Sequence, residues 1–161
     1  NPDFDDNTPP IVFEVPDNAV KVEFVSYITG HGWGSNGTYN CAEFCNSKHM
    51  FTVNGGVYEF ETSYPEANDN DYCMELETII QGVVPNQWGT WGYGRAGWCP
   101  GQDVHPIMTD ITDYVSIGDE NVMQYSACRD TWNDCVEPPV CPNNDCYCPE
   151  IAMTSYIIIW Y

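Results

Sequence analysis

The sequence predicts an all-β protein, an antiparallel sandwich or barrel. Three observations carry this. Short runs rich in β-branched and aromatic residues recur along the chain. They are separated by clusters of Pro, Asp, Asn and Gly, the residues that turns require. No stretch shows the three-to-four-residue apolar spacing of an amphipathic helix over a useful length.

Residues 1–10 are acidic and end in two prolines, and are expected to form an arm or linker ahead of one domain over residues 11–161. "IVFEV" and "VKVEFVSYI" are the first two strands, with Pro16, Asp17 and Asn18 as the turn between them. "HMFTV" and "VYEFE" flank Asn54, Gly55 and Gly56 as a hairpin, because Asn-Gly tolerates the positive φ that tight hairpins need. "CMELETIIQGVV" fits a strand or a short helix. "ITDYVSI", "NVMQYSA" and "TSYIIIWY" complete the set of strands. Two stretches fit no strand. Residues 86–101 combine glycines, three tryptophans and Arg95, which is loop chemistry. Residues 128–149 hold five cysteines and four prolines and read as a disulfide-rich loop insertion before the last strand.

A chain of 161 residues suits one domain with a sizeable core. Lys and Arg number 4 against 24 Asp and Glu, a net charge of −20. Such a surface repels nucleic-acid phosphates and anionic membranes, so neither is an expected partner. The longest apolar run at a terminus, "YIIIWY", is too short to span a bilayer. Nine cysteines point to an oxidising setting, extracellular, periplasmic or at the cell surface. Nine is odd, so one thiol lacks an intrachain partner here. The start "NPDFDDNTPP" has neither an initiator Met nor a signal peptide and reads as a processed or excised piece.

Two blocks are specific. "ITGHGWG", then "NCAEFCNSKHMFTVNG", and later "GYGRAGWCPG" together resemble the C-terminal domain of the peptide-N-glycosidase F family. The resemblance covers roughly residues 12–125 and the last strand, but not the cysteine tract at 128–149. It implies an eight-stranded jelly-roll sandwich. It also implies a relationship to enzymes that release N-glycans by hydrolysing the asparagine–sugar amide without a metal, in a cleft between two such domains. By motif, the catalytic carry-over falls on Glu43 and Arg95. His31, Trp33, Trp91 and Trp98 are the candidate substrate contacts. The resemblance pairs Cys41 with Cys45 and Cys73 with Cys99. Three departures matter. His31 and Trp33 exchange the family's Trp and His, Gly94 replaces an aspartate, and the principal catalytic aspartate belongs to a domain not present in these residues.

The same residues can be read from their chemistry. A Cys41–Cys45 bridge would close a very short ring that adds little chain-entropy stabilisation. Its use would be to fix the backbone and aim Glu43, or simply to staple a turn around a solvated glutamate. Arg95 lies among Trp88, Trp91, Tyr93 and Trp98. A guanidinium can fork onto Glu43, hold a substrate carbonyl or brace the loop. Tryptophans can stack on the apolar face of a pyranose, although any one of them also suits a core. His31, His49 and His105 lack the spacing of a copper or zinc site, and His49 is expected to hydrogen-bond within its strand. Asp69, Asp71, Asp3, Asp5 and Asp6 form no recognisable calcium loop. No cofactor or metal is expected. Asn36-Gly37-Thr38 is a formal N-glycosylation acceptor, a weak signal.

The five cysteines at 128, 135, 141, 146 and 148 admit fifteen arrangements of two bridges and one leftover thiol. Two functions remain open. One is a non-catalytic module that binds an N-glycan, a glycoprotein or another protein domain, or acts as a surface structural unit. The other is half of an N-glycan amidase whose catalytic aspartate another domain supplies.

Overall fold

Alternating burial along the longer strands builds two antiparallel sheets. The computed structural model describes residues 8–32, 42–84, 92–131, 134–136 and 150–161. The strands are β1 (Ile11–Glu14), β2 (Lys21–His31), β3 (Ser47–Val53), β4 (Tyr58–Ser63), β5 (Ile107–Asp110), β6 (Glu120–Thr131), β7 (Asp134–Val136) and β8 (Glu150–Trp160). One sheet runs β1-β6-β3-β4 with β7 also on β6, and the other runs β5-β2-β8. All strand pairs are antiparallel. The two sheets close as a jelly-roll sandwich over Val22, Phe24, Ile28, Phe51, Val53 and Met123, with Val15 and Ile111 at its margins. Phe24 from one sheet meets Phe51 from the other, ring centroids 4.7 Å apart.

β2 is the strand that carries the core toward the candidate site. Val22, Phe24, Ile28 and Gly30 turn inward, while Glu23, Tyr27, Thr29 and His31 turn outward. β8 pairs with it along its whole length, from Lys21 opposite Trp160 to His31 opposite Glu150. Inside this pair, Ser26 and Ser155 stand opposite each other and satisfy one another, hydroxyl to hydroxyl, at 2.9 Å.

The hairpin at Asn54-Gly55-Gly56 forms, with φ of 49°, 68° and 95°. Asn54 does more than tolerate that conformation. Its amide donates to Asn121 Oδ1 at 2.9 Å and to the Tyr114 carbonyl at 3.1 Å, and its Oδ1 accepts from the Val122 N–H at 2.9 Å.

Three segments differ from the sequence reading. "ITDYVSI" is not a strand: Thr112–Tyr114 is a 3-10 turn. Asp110 accepts from the Thr112 N–H and hydroxyl, which draws the chain out of extended geometry. The strand of that region is β5, just upstream. "CMELETIIQGVV" resolves to a 3-10 turn, Tyr72–Met74, and a single short helical segment, Leu76–Ile80. The tract 128–149 does not begin as a loop insertion. Residues up to Thr131 continue β6, and β7 folds back on it, with Arg129 opposite Val136. Cys128 and Cys135 are joined across this hairpin. Cys141, Cys146 and Cys148 lie outside the described residues.

Candidate functional site

The site forms where three segments with little side-chain volume meet at the C-terminal end of β2. At Gly30 an added Cβ would lie 1.6 Å from the Ala42 carbonyl oxygen, so the chain bearing Glu43 rests directly on β2 backbone. Ala42 takes φ 82°, the left-handed region that a side chain usually avoids. Cys45 two residues beyond Glu43 is disulfide-bonded. Its expected partner Cys41 lies outside the described residues. The loop bearing Arg95 is laid over the same place. A Cβ at Gly97, itself at φ 82°, would lie 2.4 Å from the Ile28 carbonyl oxygen. The Gly30 N–H donates to the Ala96 carbonyl at 3.3 Å, and the Ala96 N–H donates to the Glu43 carbonyl at 3.2 Å. Backbone thus knits to backbone across all three segments, which fixes the side chains that leave them.

Those side chains meet. Arg95 donates through Nη1 to Glu43 Oε1 as an ion pair. The Gly32 N–H donates to Glu43 Oε2 at 2.6 Å. Both oxygens of the carboxylate therefore accept from a fixed donor. The pair is largely shielded: the Arg95 side chain is 4 % exposed and that of Glu43 11 %. Burial pulls the Arg95 guanidinium below its ordinary value, yet a guanidinium with a carboxylate against it stays charged. The guanidinium also lies over two rings, 5.1 Å from the Phe44 centroid and 4.8 Å from that of Trp98. Phe44 is held edge-on by Tyr93 at 5.6 Å. The planar guanidinium can lie flat against both rings, which an ammonium cannot, although both cations are attracted to ring faces.

His31, at the outer end of β2, is exposed and stands 5.9 Å from Trp98, ring to ring, with Nε2 2.7 Å from Thr29 Oγ1. The structure thus brings Glu43, Arg95, Trp98 and His31 together. Trp33, Trp88 and Trp91 lie outside the described residues. His49 is elsewhere, in the core, and His105 is exposed. No cluster of three or more His, Cys, Asp and Glu side chains able to hold a metal occurs among the described residues.

Sequence reasoning missed Phe44, the platform under the guanidinium, and the Gly32 N–H on the carboxylate. Phe44 could have been suspected from its place inside the cysteine pair beside Glu43. The backbone donor leaves no trace in sequence. Gly94, where the family pattern has aspartate, has a local cause. A Cβ there would fall 1.9 Å from the Glu66 carbonyl oxygen, because the 3-10 turn Pro65–Asn68 packs on this loop. Cys73 and Cys99 are joined, 26 residues apart in sequence, which ties the loop to the Tyr72–Met74 turn.

The family described as peptide-N-glycosidase F, C terminal, matches residues 1–158, and so includes the cysteine tract that the motif resemblance left out. No curated protein sequence matches. The fold is similar to that of PNGase F, a glycosylasparaginase from Flavobacterium meningosepticum, at 21% identity and TM-score 0.65. The alignment covers 93% of this chain and 42% of that one. A crystal structure of a peptide-N(4)-(N-acetyl-beta-D-glucosaminyl) asparagine amidase matches equally, with 43% of its chain covered. PNGF-II matches at 14% identity and TM-score 0.58, with 24% of its chain covered. This chain therefore spans less than half the length of these solved structures.

Proposed function

The chain belongs to the peptide-N-glycosidase F C-terminal family, and from that premise we propose that it is a non-catalytic module presenting a rigid site to N-glycans on glycoproteins. The observation that carries this reading is the shielded Glu43–Arg95 pair beside Trp98 and His31. Both carboxylate oxygens of Glu43 are engaged by donors that cannot move away. Such a group is suited to accept a further hydrogen bond from a substrate N–H or hydroxyl. It is poorly placed to take a proton, since each oxygen already accepts from a donor of the protein. The indole and imidazole rings at the rim give an apolar surface for a sugar face.

A second reading is supported by length. The chain covers 42% of PNGase F and 43% of the amidase. In that reading Glu43 and Arg95 are the half of an N-glycan amidase site that orients substrate, and a carboxylate from another domain takes the proton. The bridges Cys73–Cys99 and Cys128–Cys135 support an oxidising, extracytoplasmic setting for either reading. No helix among the described residues is long and apolar enough to cross a membrane.

The test uses the purified 161-residue chain with an N-acetylglucosaminyl-asparagine peptide. Titration followed by NMR is expected to show weak saturable binding that Glu43→Gln removes while the thermal transition persists. No glycan should be released from a denatured glycoprotein. Release by this chain alone would overturn the non-catalytic reading, and equal binding by wild type and Glu43→Gln would overturn the site.

A further inference from the structure

A cleft opens beside the Arg95 loop, bordered by Gly97, Trp98 and Cys99. Its volume is about 470 Å³, and its lining includes Tyr64, Glu66, Tyr72, Trp98, Asp103 and His105. That size is in the range of small-ligand sites. We infer that this cleft binds a basic side chain of a polypeptide, with Glu66 as its charged anchor and the rings of Tyr64, Tyr72 and Trp98 as its walls.

The walls are fixed by covalent and backbone structure. Tyr72 immediately precedes Cys73 and Trp98 immediately precedes Cys99, so the Cys73–Cys99 bridge fixes the backbone from which both lining residues leave. Glu66 sits in the turn whose carbonyl packs on Gly94. The Tyr64 N–H is held by the Ser47 carbonyl at 3.0 Å. The cleft is therefore a built cavity with set spacing between rings and carboxylate.

Its electrostatics ask for a cation. No lysine or arginine is among the lining residues. Burial raises the Glu66 carboxyl above its ordinary value. Burial, with Glu66 nearby, pushes the Tyr64 phenol up to about 12, and burial, Glu66 and Glu75 raise the Tyr72 phenol. Negative charge is thus disfavoured at this point. An ammonium or guanidinium relieves that penalty, and the ring faces add cation–π attraction. Trp98 already accepts one guanidinium, that of Arg95, on its ring. A neutral sugar would stack on the same rings but would leave the half-buried carboxylate without a counter-charge.

This inference goes beyond the glycan reading and does not depend on it. Trp98 borders both sites, so together they would recognise a glycan and a basic residue on one polypeptide. The test is chosen to separate the two claims, because its probes carry no sugar. Nα-acetyl-lysine methylamide is titrated into the full chain, with the norleucine analogue as comparison, and the Trp98 indole resonance is followed by NMR. The lysine probe is expected to saturate the signal and to bind about tenfold more tightly than norleucine. Glu66→Gln should weaken it by about tenfold. Glu14→Gln, the same change in net charge at a strand outside the cleft, should leave it unchanged. The inference is overturned if norleucine binds as well as lysine, or if Glu14→Gln weakens binding as much as Glu66→Gln. The comparison of probes on the wild-type chain stands even where a variant folds poorly.

Discussion

His49 shows how one buried residue couples the fold to pH. It is fully buried on β3, with Nε2 3.1 Å from Ser47 Oγ and Nδ1 2.7 Å from Tyr125 Oη. The Tyr125 ring stacks on it and Tyr64 meets it edge-on. Two hydroxyls satisfy a neutral imidazole in either tautomer, since each can donate or accept. Burial lowers its pKa to about 4. The folded value lies below the unfolded one, so the unfolded chain binds more protons between them. The stability contributed by neutral His49 is complete above pH 6.5 and is lost as pH falls from 6.5 toward 4, by roughly 3 kcal/mol in all. Glu66, raised by burial, acts in the opposite sense, stabilising the fold at low pH and less so as pH rises. Urea unfolding across this window should show stability falling toward pH 4, with a flatter profile in His49→Gln. An unchanged slope in that variant would place the pH dependence elsewhere. The sequence foresaw that His49 hydrogen-bonds within its strand region, but the partners, one of them 76 residues away, needed the sheet register.

Among the elements, the decisive ones are those that touch without side chains between them. β2 receives the Glu43 segment at Gly30 and the Arg95 loop at Ile28. Glycine at these contacts is a matter of space, and the space is set by backbone that cannot yield cheaply. Gly30→Ala is therefore expected to cost about 3 kcal/mol or more and to part Arg95 from Glu43. Gly55→Ala makes the comparison, since nothing lies within 4 Å of its Cβ and only its φ of +68° opposes the change. That strain amounts to about 1–2 kcal/mol. Chemical denaturation of both variants checks the order, and a smaller loss at Gly30 than at Gly55 would contradict the packing described here. The same scale explains the misread segments. "ITDYVSI" has strand-forming residues, but Asp110 captures the Thr112 N–H and hydroxyl and local hydrogen bonding wins over propensity. Cys128 and Cys135 look like loop cysteines, yet they cross-link a hairpin because β6 has a partner beyond its apolar run.

For the molecule as a whole, charge is the dominant long-range force. A net charge of −20 repels itself across the folded surface. Added salt shortens the screening length from about 30 Å at 0.01 M to about 8 Å at 0.15 M. The melting temperature is expected to rise between those conditions, by about 2–4 °C for each ~1 kcal/mol of repulsion removed. The Glu43–Arg95 pair is shielded from solvent and is screened less, so it does not reverse the trend. Calorimetry at fixed pH in sodium chloride checks this, and a falling transition would show that surface attraction, not repulsion, governs stability. The outer face of β2 and β8 is mixed on the same scale, with Tyr27 41%, Tyr156 54% and Trp160 50% exposed among Lys21, Glu23 and Thr29. Patterning by itself does not show this, because "TSYIIIWY" is apolar at nearly every position and only the sandwich decides which alternate side chains face in.

What the sequence determined by itself follows from local and compositional rules: the antiparallel β class, the Asn-Gly hairpin, the acidic surface, and the two glycine-rich and cysteine-bounded blocks that mark the family. Each is written within a few neighbouring residues or in the totals. The tertiary structure decided which residues act together. Glu43 and Arg95 are 52 residues apart and meet because Gly30 and Gly97 let two loops rest on one strand. Their second and third supports, the Gly32 N–H and the Phe44 ring, are set by where the backbone points. The Glu66 cleft likewise gathers residues from Thr62 to Ile107, two of them beside cysteines bridged 26 residues apart. Contacts of that kind depend on backbone direction and on distances across the sandwich, and neither has a local signature in the order of amino acids.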